Sequence, residues 1–283
     1  MKKKIVLPTD FSENAHNAIK YAIELYKGEP CEFFIVHSYY LPGFNRSNLL
    51  SLEPTEKRLN EVKARAERNM EILKKQVCFY DGVNNDDFHF LNEFGAFNEV
   101  LKEIVEKEDI KLIIMGTRGE TDDKNTILGS NAINAMEKVR NCPVFAIPAN
   151  VVYKAPSEIV FPTSFKTHYK ENELATLIEI SRLTKAPIRV LYVQTISKFS
   201  KEQEENKQLL RQILGTLSFT FHELSNINVH EGVRCFAQSR ESGMIAFINK
   251  KHIFFGSIFS DSMLRDLDLN ANVPTLALHD LRH

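Results

Sequence analysis

Glycine, cysteine and long apolar runs are all scarce in this 283-residue chain, which has only 11 glycines and 4 cysteines. No apolar run approaches the roughly 20 residues that cross a bilayer, which argues against a transmembrane helix and a membrane partner. Cys31, Cys78, Cys142 and Cys235 are scattered with no C-x-x-C pair. That excludes a zinc ribbon or a disulfide framework and suits a reducing compartment. Charge of one sign is also lacking: 36 Lys and Arg stand against 37 Asp and Glu, a formal net charge of −1. A surface built to coat nucleic acid is therefore not expected. Met1-Lys-Lys-Lys4 imitates the start of a signal peptide, but only Ile5-Val6-Leu7 follows before Pro8. That run is too short for a signal sequence, so the expected location is cytoplasmic. His252, His279 and His283 show no metal-ligand spacing and read as surface histidines; no metal site is predicted.

Against this scarcity, three glycines crowd into one loop: Gly116-Thr-Arg-Gly119, nine further residues, then Gly129-Ser130. The loop follows an apolar run, Lys111–Met115, and precedes a helical pattern from Asn131 to Arg140. A strand that ends in glycines and leads into a helix is a phosphate-binding arrangement. The backbone N–H groups are accessible there, and the helix dipole favours negative charge. The loop is neither a Walker A motif, having no G-K-[ST], nor a G-x-G-x-x-G fingerprint. Turn glycines without a ligand are the alternative reading. Arg118 and Lys124 are the available cations, and Ser130 is expected to cap the helix and offer its hydroxyl.

The chain repeats itself. Lys4-Ile-Val-Leu-Pro8-Thr9-Asp10-Phe11-Ser12 returns as Glu158-Ile-Val-Phe-Pro162-Thr163-Ser164-Phe165-Lys166, and Cys31–His37 returns as Pro187–Gln194. Leu112–Gly116 is echoed by Ile253–Gly256, and Cys142–Ile147 by Val273–Leu278. Each copy alternates short apolar strands with amphipathic helices. The first helix runs from about Ser12, its N-cap, to Lys27, and a long one from about Thr55 to Phe79. The pattern predicts an α/β fold: two tandem doubly wound parallel-sheet domains, residues 1–149 and 157–283, joined by a linker from Ala149 to Ser157. Ligands of such sheets bind at the carboxyl ends of strands where the order reverses. Pro8-Thr9-Asp10 and the glycine loop both fall at strand ends, so Asp10 is expected to face the loop across one crevice.

Ile5–Ser12, Val36-His37, Ile113–Gly119, Leu128-Gly129-Ser130 and Asn141–Val144 together resemble the universal stress protein family in its nucleotide-binding branch. The loop spacing fits that branch's signature. The resemblance covers the first copy and, more faintly, the second, and implies the strand order 3-2-1-4-5 in each. It implies ATP or another adenine nucleotide as ligand. Asp10 and Ser38 would meet adenine and ribose, with Pro8 and Thr9 also among the nucleotide-binding residues. Met115, Gly116, Arg118, Gly119, Gly129, Ser130 and Asn131 would surround ribose and phosphates. Ser38 departs from the family's usual aliphatic residue, and the loop interior is unusually acidic. Asp122 and Asp123 read as solvated loop residues or as holders of Mg²⁺ on a phosphate. The resemblance also implies pairing of the copies through their last strands as a pseudo-dimer, and it allows a homodimer beyond that.

The second copy is expected to lack the site. Gly116 to Pro143 spans 27 positions and Gly256 to Pro274 only 18, which implies a nine-residue deletion; Ser164 replaces Asp10. The leading functional expectation is a stress-response signalling or binding module holding one nucleotide per chain. A slow ATPase or phosphotransferase and a ligand-free scaffold are the alternatives. No catalytic constellation is recognisable, so no catalytic residue is assigned.

Overall fold

The computed structural model describes residues 2–40, 53–80, 84–118, 129–194, 198–249 and 273–279. In the first half β1 (Lys3–Pro8), α1 (Glu13–Leu25), β2 (Cys31–Tyr39), α2 (Glu53–Val77) and β3 (Phe88–Phe94) lead into α3 (Phe97–Lys107), β4 (Leu112–Gly116), α4 (Ser130–Lys138) and β5 (Val144–Ile147). The second half contains β6 (Ile159–Pro162), α5 (Glu171–Thr184), β7 (Ile188–Val193) and α6 (Lys201–Leu214), then β8 (Phe219–Leu224), α7 (Val229–Ser239), β9 (Met244–Asn249) and β10 (Thr275–His279).

The ten strands among the described residues form one sheet, in the order β3-β2-β1-β4-β5-β10-β9-β6-β7-β8. Each half is parallel throughout and has the expected order 3-2-1-4-5. The halves join where β5 meets β10 antiparallel, with Thr275 opposite Ala146, Leu276 opposite Phe145 and Ala277 opposite Val144. Strand period sets the faces. Phe145, Ile147, Leu276 and Leu278 enter an apolar core shared by α1, α2, α5 and α6, whereas Val144, Ala146 and Ala277 pack beneath α3 and α4. Helix caps follow from the local sequence: Ser12 Oγ accepts from Ala15 N at 3.2 Å. Ala66, Met70, Leu73 and Val77 bury one stripe of α2. Among the described residues, no helix is long and apolar enough to cross a membrane.

Three sequence expectations need correction. The partner of β4 in the second half is not Ile253–Gly256. Ile5 sits opposite Leu112, and Ile159 sits opposite Met244, so β9 is the counterpart. Met244–Ile248 is the buried run, and Gly116 corresponds to Ile248. Ile248 to Pro274 spans 26 positions, so the inferred nine-residue deletion disappears. What the segment lacks is glycine: Gly256 is the single one between Asn249 and Pro274, and it lies outside the described residues. Lastly, His279 is not a surface histidine. It ends β10 with 1% exposure. Burial, and then the charge of Arg140, pushes its pKa down to about 3, so it is neutral at ordinary pH. His252 and His283 lie outside the described residues.

The halves are also tied by side chains. Lys3 of β1 pairs with Glu179 of α5. Arg140 Nη2 donates to Asn249 O at 2.6 Å, and Asn249 Nδ2 donates to Met136 O at 2.8 Å. The connection 148–157 is docked rather than loose: Asn17 Nδ2 donates to Val151 O at 2.8 Å, and Tyr153 packs edge-on against Tyr21.

One ion pair has opposite sign in the two halves. Lys4 reaches Glu108 at 4.0 Å, while Glu158 in the matching place accepts from Arg240 at 2.7 and 2.8 Å. Arg189 and Ser242 donate to the same carboxylate at 2.8 and 2.9 Å. Burial alone would raise the Glu158 pKa, but these donors outweigh it and hold the carboxyl at about 2, against an ordinary 4.5. Because the folded value lies below the unfolded one, this stabilisation is complete above pH 4.5 and fades as pH falls toward 2. Its size is about 3 kcal/mol at 1.36 kcal/mol per pKa unit. Urea midpoints taken through that range should fall further for the natural chain than for Glu158→Gln. Parallel curves would refute the assignment. Separately, residues 1–150 made alone should dimerise or aggregate through the bared β5 edge. Light scattering showing a stable monomer would contradict this.

Candidate functional site

At the carboxyl ends of β1 and β4 the chain diverges to opposite sides, and a cleft opens there. It is lined by Pro8, Thr9, Asp10, Ser38, Met115, Gly116, Arg118, Gly129 and Asn131 among the residues selected from sequence. Ala15, His37, Phe97, Thr117 and Ala132 complete its wall. It encloses about 100 Å³, within about 530 Å³ of space that includes its open mouth. Among the described residues no group of three or more His, Cys, Asp or Glu is arranged to hold a metal.

The β1–α1 turn gives the cleft its floor. Thr9 N donates to Val36 O at 2.8 Å, Phe11 N to Thr9 Oγ1 at 3.0 Å and Ser12 N to Asp10 Oδ1 at 3.1 Å. These bonds hold Phe11 at φ 66°, a left-handed conformation that a bulky residue adopts only under constraint. Its ring meets that of His37 at 4.4 Å between centroids. Thr9 O can only accept, so the 2.8 Å contact to His37 Nδ1 places the proton on that nitrogen. Sequence reasoning did not select His37 or Phe97 for this wall. Their signal is positional: His37 is one residue beyond the partner of Pro8, and Phe97 opens α3.

The glycine loop closes on itself, since Gly129 N donates to Thr117 O at 2.6 Å. Gly129, not Ser130, is the N-cap of α4. Ser130 is the first helical residue, is exposed and does not line the cleft, so its expected cap bond is absent. The helix begins one residue early because the Gly129–Thr117 bond already fixes the entry of the chain. Asn131 and Ala132, in the first turn, face the cleft. The N–H groups of such a turn have no partner within the helix. Gly119, Asp122, Asp123 and Lys124 lie outside the described residues.

Gly116 has a reason other than access to a ligand. A Cβ on it would lie 2.7 Å from Asn14 Cγ and 2.8 Å from Asn14 Oδ1. Asn14, buried at 6% exposure, donates from Nδ2 to Ile147 O at 3.1 Å and accepts at Oδ1 from Arg118 N at 2.8 Å. The missing side chain of Gly116 is thus the space in which this amide sits. Gly116→Ala should cost about 1–3 kcal/mol as an overpacked site. The penalty should shrink in an Asn14→Ala background when both are measured by urea unfolding. An equal penalty in both backgrounds would free Asn14 from that role.

The second half carries the same turn without the cleft's polar wall. Pro8 pairs with Val36 and Pro162 with Leu191, so Tyr192 corresponds to His37 and Val193 to Ser38. Ser164 stands for Asp10 and Ile248 for Gly116. Phe165 repeats the left-handed geometry of Phe11 at φ 56°, and Phe165 N donates to Thr163 Oγ1 at 3.2 Å.

A family comparison matches residues 1–148 to the universal stress protein family. The chain belongs to that family. Two universal stress proteins of Methanocaldococcus jannaschii are similar to it. One is 31% identical over 52% of this chain and 95% of its own length; the other is 30% identical over 51% and 81%. A universal stress protein structure from Archaeoglobus fulgidus superposes with a TM-score of 0.68 over 98% of both chains at 16% identity. One from Pseudomonas aeruginosa gives 0.59 over 98% of this chain and 93% of its own at 13% identity. At such identities these two structures speak for the fold. Both extend over this family member's two halves together.

Proposed function

We propose that this universal stress protein binds one adenine nucleotide, ATP or a close relative, in the cleft of its first half. The observation that carries the reading is the meeting of Asp10 with the entry and exit of the glycine loop at a strand-order switch point. A carboxylate there suits ribose hydroxyl donors. Backbone N–H groups at the start of α4, with Arg118 beside them, suit phosphates. Ser38, Met115 and Phe97 supply a partly apolar wall for a base. Mg²⁺, if it accompanies the nucleotide, would sit mainly on phosphate oxygens.

The reading assigns no nucleotide to the second half. Replacement of Asp10 by Ser164, Ser38 by Val193 and Gly116 by Ile248 removes a carboxylate and adds apolar bulk at matching positions. Residues 1–149 then form the binding domain and residues 157–283 its built-in partner, with nucleotide occupancy as the signalling state. Four free cysteines fit a reducing, cytoplasmic setting.

Nucleotide released from the purified, denatured protein and calorimetric titration with ATP test the reading. Asp10→Ala should weaken ATP by about tenfold or more, the worth of a charge-assisted hydrogen bond. Unchanged affinity would remove Asp10 from the site, and no binding of any adenine nucleotide would end the reading.

A further inference from the structure

Asn14 stands between the cleft and the junction of the two halves. Its Oδ1 accepts from Arg118 N at 2.8 Å, at the point where the glycine loop begins. Its Nδ2 donates to Ile147 O at 3.1 Å, and Thr117 N donates to that same carbonyl at 3.0 Å. Ile147 is the last residue of β5, whose Val144, Phe145 and Ala146 pair with β10. One helical turn on, Asn17 Nδ2 donates to Pro148 O at 3.3 Å and Val151 O at 2.8 Å, where the chain leaves for the second half. The first two turns of α1 therefore grip the loop entry, the end of β5 and the connection at once. A buried amide with both ends committed links Arg118 to Ile147 alongside the Thr117–Ile147 bond, and a displaced Arg118 strains that link because either lost bond leaves a polar group of the buried amide unpaired.

We propose that Asn14 is a positioning residue that couples occupancy of the cleft to the pairing of β5 with β10; this rests on the nucleotide reading above. A ligand that orders the loop entry fixes Arg118 N. Through Asn14 it fixes Ile147 and tightens the seam between halves. Coupling of this kind is reciprocal, so a firmer seam also raises nucleotide affinity.

Hydrogen-exchange mass spectrometry on the full chain, with and without saturating Mg-ATP, tests this beside calorimetric titration. In the natural chain ATP should slow exchange in peptides covering β5 and β10 by about fivefold or more, the lower end of ordinary coupling. Asn14→Ser should still saturate at higher ATP but lose that slowing, and Asn17→Ala should keep it. Should Asn14→Ser fold poorly, Asn14→Ala carries the same test, because it removes both hydrogen bonds without placing a charge against the Ile147 carbonyl. The coupling is overturned if ATP binds the natural chain without slowing these strands, or if the Asn14 variants retain the full slowing at saturation. Absence of ATP binding by the natural chain is a different result: it overturns the nucleotide reading and the coupling with it.

Discussion

The antiparallel seam between β5 and β10 is the contact on which the rest of this molecule depends. Three residue pairs turn two five-stranded sheets into one of ten. Each strand would otherwise end its sheet with an open row of N–H and C=O groups, and each covers the other's. The seam also merges the cores. Ile5 and Leu7 of β1 share one apolar cluster with Ile159, Phe161 and Leu276 of the second half. So short a ladder needs support, which comes from the Lys3–Glu179 pair and from the bonds linking Arg140, Asn249 and Met136. β5 carries the seam along one edge, and its last carbonyl, Ile147 O, accepts from Thr117 N and Asn14 Nδ2 beside the loop entry that follows β4.

The parts of this fold legible in the sequence are those set by local rules. Ser12 is a helix cap because its hydroxyl answers the orphan N–H of Ala15; short continuous apolar runs mark strands buried on both faces, and a 3.6-residue apolar period marks helices buried on one. The cleft was legible because its glycines stand out in a glycine-poor chain and Asp10 falls at a strand end. Residue roles set by tertiary contact were not. Gly116 looks like a phosphate glycine, yet its lack of a side chain accommodates Asn14, a neighbour distant in sequence. Ser130 satisfies every local criterion for a cap, but the Gly129–Thr117 bond shifts the helix start by one. Ile253-Phe-Phe-Gly256 imitates the end of β4 better than Met244–Ile248 does by letter. Only strand register identifies the latter as the counterpart.

The two halves keep one turn and put it to opposite ends. In both, a threonine hydroxyl accepts from a phenylalanine N–H and holds that residue in the left-handed region. A conformation costing about 1–2 kcal/mol for a side chain of this size persists only where surroundings enforce it. In the second half the enforcement comes from hydrogen bonds and packing together. Gln203 Nε2 donates to Ser164 O and Asn206 Nδ2 to Phe165 O, both from α6. Phe165 is enclosed by Tyr192, Phe199 and Phe221, with the Lys207 ammonium over the three phenylalanine rings. On the other face Val193 presses so closely on α7 that a Cβ on Gly232 would lie 2.9 Å from it. In the first half, Phe11 is held by the His37 ring, while Asp10 and Ser38 line a cleft where the second half has Ser164 and Val193. The two halves thus share the backbone of this turn and differ in the side chains beside it. Among the described residues, Val193 and Ser164 stand in the second half where Ser38 and Asp10 line the cleft of the first.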